Sequence, residues 1–160
     1  MTDDDIRFMK RAIELSEKTS LIDSAGGVFG SVIVRDGEIL GEGANRVVAE
    51  NDPTWHGEME AIRKACKKTG SFKLRGATLY TSAEPCPMCM AAVYWAGIER
   101  VYYGATNGDA LEYGDFDDSM IYGELKKPVS QRSIKCTQIM QEEAVEVWKK
   151  YKNKADRVPY

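Results

Sequence analysis

The 160-residue sequence contains a single histidine, His56. One imidazole per chain excludes a three-histidine zinc site, a two-histidine iron site or a Cys₂His₂ finger built within one chain. Any metal site must therefore use cysteines, of which there are four. Four cysteines are too few for the dense disulfides of a small secreted protein, and they favour a reducing, cytoplasmic location.

The sequence also lacks excess positive charge and long apolar runs. Its formal net charge is −3, which disfavours a nucleic-acid partner because such proteins usually present a basic face. No apolar run approaches the length of a membrane span, and the first residues are acidic where a signal peptide would be basic. We therefore expect a small-molecule substrate and no membrane partner.

The composition, 43% apolar and 29% charged residues, is that of one folded domain spanning residues 1–160. Thr2 and Asp5 form a capping pair at the start of a first amphipathic helix, and Asp36-Gly37 predicts the turn of a β-hairpin. Apolar spacing and composition predict further helices near 55–70, 88–96 and 144–151, and strands at 77–81, 101–103 and, at an edge, 134–139. Because strands and helices then interleave, we expect a three-layer α/β/α fold with a mixed sheet.

Two segments carry the candidate chemistry, His56-Gly57-Glu58 and Pro85-Cys86-Pro87-Met88-Cys89. Each lies where a loop is predicted to become a helix, and the positive end of a helix stabilises thiolates. One imidazole and two thiolates provide three zinc ligands and leave the fourth position for a water. Glu58 lies beside the metal rather than on it, where a carboxylate can transfer protons.

A thiol redox motif and a closed structural zinc site are alternatives. A lone Cys-x-x-Cys between a strand and a helix also describes a redox pair, but it leaves His56-Gly57-Glu58 unexplained. A closed site needs a fourth ligand, and Cys66 is ten helical positions from His56, on the order of 15 Å away. We expect Cys66 and Cys136 to be small buried residues instead.

The two-part motif resembles the signature of zinc-dependent nucleobase deaminases of the cytidine deaminase superfamily. The similarity extends along most of the chain and is greatest to bacterial guanine deaminases. It is carried by residues 26–34, Asn45, 51–54, 79–82, 94–95 and 116–119. The resemblance implies a cytidine deaminase-like fold, with Zn²⁺ held by His56, Cys86 and Cys89.

The resemblance also implies roles around the metal. Glu58 would be the main proton carrier, and Asp118 would help to release the amino group. The implied substrate contacts are Phe29, Asn45, Gly57, Trp95 and Tyr160. A homodimer is implied as well, in which the C-terminal segment, about residues 140–160, is exchanged so that Tyr160 closes over the partner's site.

The implied reaction is hydrolysis of guanine to xanthine and ammonia. Three residues depart from the family pattern, since Val28 replaces a proline, Trp55 a small residue and Gly57 an alanine. His-Gly-Glu is similar to fungal cytosine deaminases, so cytosine or another amino-substituted heterocycle is the alternative substrate. Adenosine in tRNA is disfavoured by the acidic chain. A non-catalytic, zinc-stabilised binding protein is disfavoured because a structural site gains nothing from Glu58.

Overall fold

The computed structural model describes residues 1–158, so the predicted substrate contact Tyr160 lies outside the described residues. The chain divides into two compact units, Met1–Met120 and Ile121–Tyr160. Across residues 1–158, no helix combines the length and apolar character that crossing a bilayer requires. The elements are α1 (Asp3–Glu17) with a π-helical extension (Lys18–Ile22), β1 (Gly30–Arg35), β2 (Glu38–Ala44), α2 (Val47–Glu50), α3 (Gly57–Thr69), β3 (Thr78–Ala83), α4 (Pro87–Ala96), β4 (Arg100–Ala105), α5 (Asn107–Gly114), α6 (Ser119–Lys126), a 3₁₀ turn (Val129–Gln131) and α7 (Gln141–Lys152).

The first unit is built on a four-stranded mixed sheet in the order β2-β1-β3-β4. β1 pairs antiparallel with β2 and β3, whereas β3 and β4 run parallel. The β1–β2 hairpin turns at Asp36 and Gly37, both of which have positive φ. Aspartate and glycine are among the residues that enter this region most readily, which is why the pair predicts the turn correctly.

Alternate residues of the strands face opposite layers of helices. Ile33 and Leu79 pack in one apolar cluster with residues of α3 and α4. Val32 and Tyr80, each one position away along the same strands, pack on the other face with residues of α1. The predicted three-layer α/β/α arrangement with a mixed sheet is thereby confirmed.

The start of α1 is tied to the sheet through its cap. Thr2 and Asp5 form the predicted capping box, in which each side chain accepts a hydrogen bond from the other residue's backbone N–H. The Tyr80 hydroxyl donates to Asp5 Oδ1 at 2.7 Å. The cap therefore also anchors the first helix to the central strand β3.

Helix α3 packs unusually close to β2 because Gly41 and Gly43 have no side chains. A Cβ atom on Gly43 would lie 2.1 Å from the carbonyl oxygen of Gly57, and one on Gly41 would lie 2.3 Å from that of Ala61. Such distances are far below van der Waals contact. The two glycines therefore bring the first turn of α3, and His56 before it, against the sheet.

The parallel pair β3–β4 places two loops at the same edge of the sheet. Glu84 follows β3, and its backbone N–H donates to the carbonyl of Ala105, the last residue of β4, at 2.8 Å. Helices α4 and α5 begin just beyond these points. The carboxyl edge of parallel strands is the usual ligand-binding edge of an open α/β sheet.

The second unit contains most of α6, the 3₁₀ turn and α7, which confirms the predicted C-terminal helix. The strand expected at 134–139 is wrong, since these residues have no regular secondary structure. β-branched composition shows only that a segment suits a pleated surface, and a strand also needs a neighbour to pair its backbone. Within this irregular segment Cys136 is exposed rather than buried, whereas Cys66 is half-buried against the core.

Candidate metal centre and active site

The three predicted metal ligands meet where two helices begin. His56 is the N-cap of α3, Cys86 is the N-cap of α4, and Cys89 lies in the first turn of α4. His56 Nδ1 lies 3.5 Å from the Sγ atoms of both cysteines. All three ligand atoms lie within 4.8 Å of one another.

This spacing fits zinc. Tetrahedral bonds of about 2.3 Å to sulfur and about 2.0–2.1 Å to nitrogen place the two kinds of ligand atom about 3.6 Å apart. Among the described residues the group has no fourth His, Cys, Asp or Glu ligand. Such a three-residue set leaves a coordination position for water, as in catalytic rather than structural zinc sites.

The pKa values of the two thiols shift in opposite directions. A hydrogen bond from the Cys89 thiol, aided by His56, lowers the pKa of Cys86 to about 4. The same hydrogen bond, together with burial, raises the pKa of Cys89. The shared hydrogen bond and the helix start therefore favour the thiolate form at Cys86, and a cation must displace the proton of Cys89 for both sulfur atoms to act as ligands.

Glu58 lies buried beside the three ligands, with 2% of its surface exposed. Its Oε2 atom has no hydrogen-bond partner among the described residues, and its side chain lines the cavity next to the metal ligands. Burial raises the pKa of the Glu58 carboxyl. A buried carboxyl with a free oxygen in a cavity can accept and return a proton.

The cavity over these residues has a volume of about 370 Å³, within the range of small-molecule sites. His56, Glu58 and Cys86 contribute to its lining. The other lining residues come from the loop before β1, the segment around α2, the β3–α4 loop and the region from α5 to α6. They are Gly27, Phe29, Asn45, Val47, Val48, Pro53, Glu84, Asn107, Ala110, Phe116 and Asp118.

Asn45 presents a hydrogen-bond donor to the cavity. The residue is buried, and its Oδ1 accepts the backbone N–H groups of Gly27 at 3.1 Å and Val47 at 3.2 Å. Since only the amide oxygen can accept these bonds, the Nδ2 group is the part left for a ligand. A molecule bound at Asn45 must therefore offer an acceptor.

Two aromatic rings form part of the cavity wall. Phe29 and Phe116 meet edge to face with their centroids 5.0 Å apart. Phe29 is among the predicted contacts, whereas Phe116 is not. The available signal for Phe116 is its position two residues before Asp118 in the stretch 116–119.

Asp118, rather than Asp117, lines the cavity. Burial raises the pKa of Asp118. Asp117 instead accepts hydrogen bonds from the Ser119 hydroxyl and, at 2.8 Å, from the Ser119 backbone N–H, and these bonds lower its pKa. The two neighbouring carboxylates therefore differ, one facing the site and the other closing a turn.

Gly57 and Trp95 do not line the cavity formed by the described residues. Gly57 is buried under the first turn of α3, where a Cβ atom would lie 3.1 Å from the carbonyl oxygen of Phe29. Trp95 lies in the last turn of α4 and is 65% exposed. The substrate contacts predicted for Gly57, Trp95 and Tyr160 stay predictions.

Glu84 and Asn107 line the cavity without having been predicted as site residues. Glu84 Oε2 accepts the backbone N–H of Asn107 at 3.1 Å. In the sequence, Glu84 is marked by its position directly before Pro85-Cys86. No sequence signal marks Asn107, because its place depends on the pairing of β3 with β4.

Comparison with known proteins identifies the family. Residues 2–105 match the family model of the cytidine and deoxycytidylate deaminase zinc-binding region. The chain belongs to this family. The expected class of zinc-binding deaminase and the cytidine deaminase-like fold are thus confirmed.

This deaminase is similar to proteins that act on different bases. It is 46% identical over 153 residues to the guanine deaminase of Bacillus subtilis (strain 168), covering 96% of this chain and 97% of that protein. An X-ray structure of guanine deaminase from Bacillus subtilis matches with a TM-score of 0.93 and 45% identity, covering 100% of this chain and 99% of that one. A tRNA-specific adenosine deaminase of Streptococcus pyogenes serotype M18 is 35% identical over 139 residues, covering 84% of this chain and 86% of that protein.

Substitution of Cys86 by alanine should remove the zinc. It deletes one of the three ligands, so purified Cys86→Ala protein should contain far less zinc than wild type by elemental analysis. Cys66→Ala is the matched control, because Cys66 is also a free cysteine but is absent from the metal group. Full zinc content in Cys86→Ala would contradict the ligand assignment.

Proposed function

We propose that this deaminase hydrolyses the free base guanine to xanthine and ammonia. The observation that carries the choice of base is the 46% identity to a guanine deaminase over nearly the whole of both chains. The similarity to a tRNA-specific adenosine deaminase is lower and covers less of the chain. The acidic net charge of −3 also favours a free base over a polyanion.

The cavity provides the contacts that such a base needs. Asn45 donates from Nδ2 to an acceptor on the base, such as a ring nitrogen or the carbonyl oxygen of guanine. Phe29 and Phe116 offer aromatic surface for packing against the flat ring. Together these residues orient the amino-bearing carbon toward Glu58 and the metal ligands.

His56, Cys86 and Cys89 would hold the zinc ion. When bound, zinc supplies the acidification that makes water a nucleophile near neutral pH. Glu58 takes the proton of the attacking water on its free oxygen and passes it to the ring nitrogen beside C2 of guanine. Glu58 then carries the proton of the new C2 hydroxyl to the amino group, so that the C2–N bond breaks, the C2 carbonyl of xanthine forms and ammonia leaves, with Asp118 assisting this release.

A substrate panel tests this proposal. Ammonia release should be measured for guanine, cytosine, adenine, guanosine, cytidine, isocytosine and a tRNA anticodon stem-loop that contains adenosine. We expect guanine to be turned over with the highest kcat/KM. A protein that is silent with guanine while turning over another compound would overturn the choice of base.

The control for the panel is Glu58→Gln, which removes the proton carrier without removing a metal ligand. This variant should retain zinc while activity falls by ~10²–10⁴-fold, the usual contribution of a positioned proton shuttle. Glu60→Gln is the matched variant, because its amide oxygen can still accept the backbone N–H of Ala44, as Glu60 does at 2.9 Å. It should remain active.

We further propose that the protein works in the cytoplasm as a homodimer in which the C-terminal segment, about residues 140–160, is exchanged. β4 has a strand neighbour on one side within the described sheet, and its Tyr103 is 48% exposed. In the second unit, Ile134, Ile139 and Trp148 are at least 70% exposed. Sheet edges and large apolar side chains are normally covered, and a second copy of this chain could cover both.

A mixed dimer tests the exchange. Chains carrying Glu58→Gln and chains truncated before Tyr160 should each be nearly inactive alone, one lacking the proton carrier and the other the closing residue. Co-expressed with different tags and purified as the mixed dimer, they should regain activity, because an intact site then receives an intact terminus from its partner. A mixed dimer that stays as inactive as its parents, or a monomer by sedimentation, would contradict the proposal.

A further inference from the structure

The side of the cavity formed by Glu84 and Asn107 has no part in the reaction described above. Glu84 uses Oε2 to accept the backbone N–H of Asn107 at 3.1 Å. Within residues 1–158 its other oxygen, Oε1, has no hydrogen-bond partner. The side chain is half-buried and lines the cavity. One carboxylate oxygen is therefore held in place while the second is available to a ligand.

The available groups of Glu84 and Asn45 have opposite hydrogen-bonding character. Asn45 presents a donor, because its oxygen is occupied by two backbone N–H groups. A carboxylate is an acceptor only. A nucleobase carries ring N–H donors as well as acceptors on its edge, so a base could satisfy both groups at once.

We propose that Glu84 accepts a hydrogen bond from a ring N–H of the bound base, with Asn107 as the positioning residue that holds the carboxylate through its backbone. The proposal rests on the proposed function for the identity of the base. It makes Glu84 a specificity-determining residue, because a base that carries a methyl group or a sugar on that nitrogen has no proton to donate. Such a ligand would leave a charged acceptor unpaired, which is costly to binding.

A purely structural role for Glu84 is the competing explanation, in which the carboxylate only holds the start of α5. Glu84→Gln separates the two. The glutamine oxygen can still accept the Asn107 N–H, and its NH₂ group cannot, so the amide should keep its oxygen on that side. The cavity then receives a donor in place of an acceptor, while the tie to α5 is retained.

Steady-state kinetics of zinc-loaded protein with guanine give the first readout. We expect Glu84→Gln to raise KM by about 10- to 100-fold, the range for losing a hydrogen bond to a charged group, with a much smaller change in kcat and an unchanged zinc content. Glu99→Gln is the matched control, since Glu99 also accepts a backbone N–H, that of Gly76 at 2.9 Å, but does not line the cavity. A KM for Glu84→Gln equal to that of wild type would overturn the proposal.

Methylated bases give the second readout. Inhibition constants of 1-, 7- and 9-methylguanine should be measured against wild type and Glu84→Gln. At one of the three positions, methylation should weaken binding to wild type much more than binding to Glu84→Gln. A steric clash of the methyl group alone would weaken binding by the same factor in both proteins. Equal penalties at all three positions would therefore refute the hydrogen bond.

Failure of the proposed function has a different signature. If wild type turns over another base and not guanine, the choice of guanine is wrong. Glu84 is then tested in the same way with that base and its N-methylated forms. An active wild type with an unaffected Glu84→Gln variant refutes the role of Glu84 alone.

Discussion

The contact between one imidazole nitrogen and two sulfur atoms is the arrangement on which the rest of the site depends. His56 reaches Cys86 and Cys89 at 3.5 Å only because α3 lies directly on β2, where Gly41 and Gly43 leave no side chains between helix and sheet. The cysteines lie at the start of α4, shortly after the end of β3. Two separate helix starts thus converge on one cation, and both direct their positive ends toward the thiolates.

The polarity of the cavity follows from this convergence. Glu58 follows His56 into the first turn of α3 and is buried with a free oxygen, because that turn faces the metal ligands rather than solvent. Asn45, at the end of β2, contributes a donor. Glu84 and Asp118 contribute carboxylates from the side of β3 and α5. Since a flat base carries donors and acceptors on one edge and aromatic faces above and below, this distribution of groups suits it better than it suits an apolar ligand.

The motif and the local signals of the sequence predict much of the metal site and part of the fold. Spacing and residue chemistry predicted a site at His56, Cys86, Cys89 and Glu58, which the structure brings together. Turn and capping residues located the hairpin and the first helix. Glu84 and Asn107, which are 23 residues apart, could not be predicted to meet, since their contact arises from the parallel pairing of β3 with β4. The segment 134–139 has strand composition without forming a strand, because composition cannot supply a partner for its backbone.

The central claim is that one imidazole and two thiolates of a single chain hold a zinc ion with an open fourth position. X-ray absorption at the zinc edge of the purified wild-type protein tests it directly. The account predicts a shell of two sulfur atoms at about 2.3 Å and two nitrogen or oxygen atoms at about 2.0–2.1 Å, one of them exchangeable. A shell of four sulfur atoms, or one without sulfur, would contradict the account.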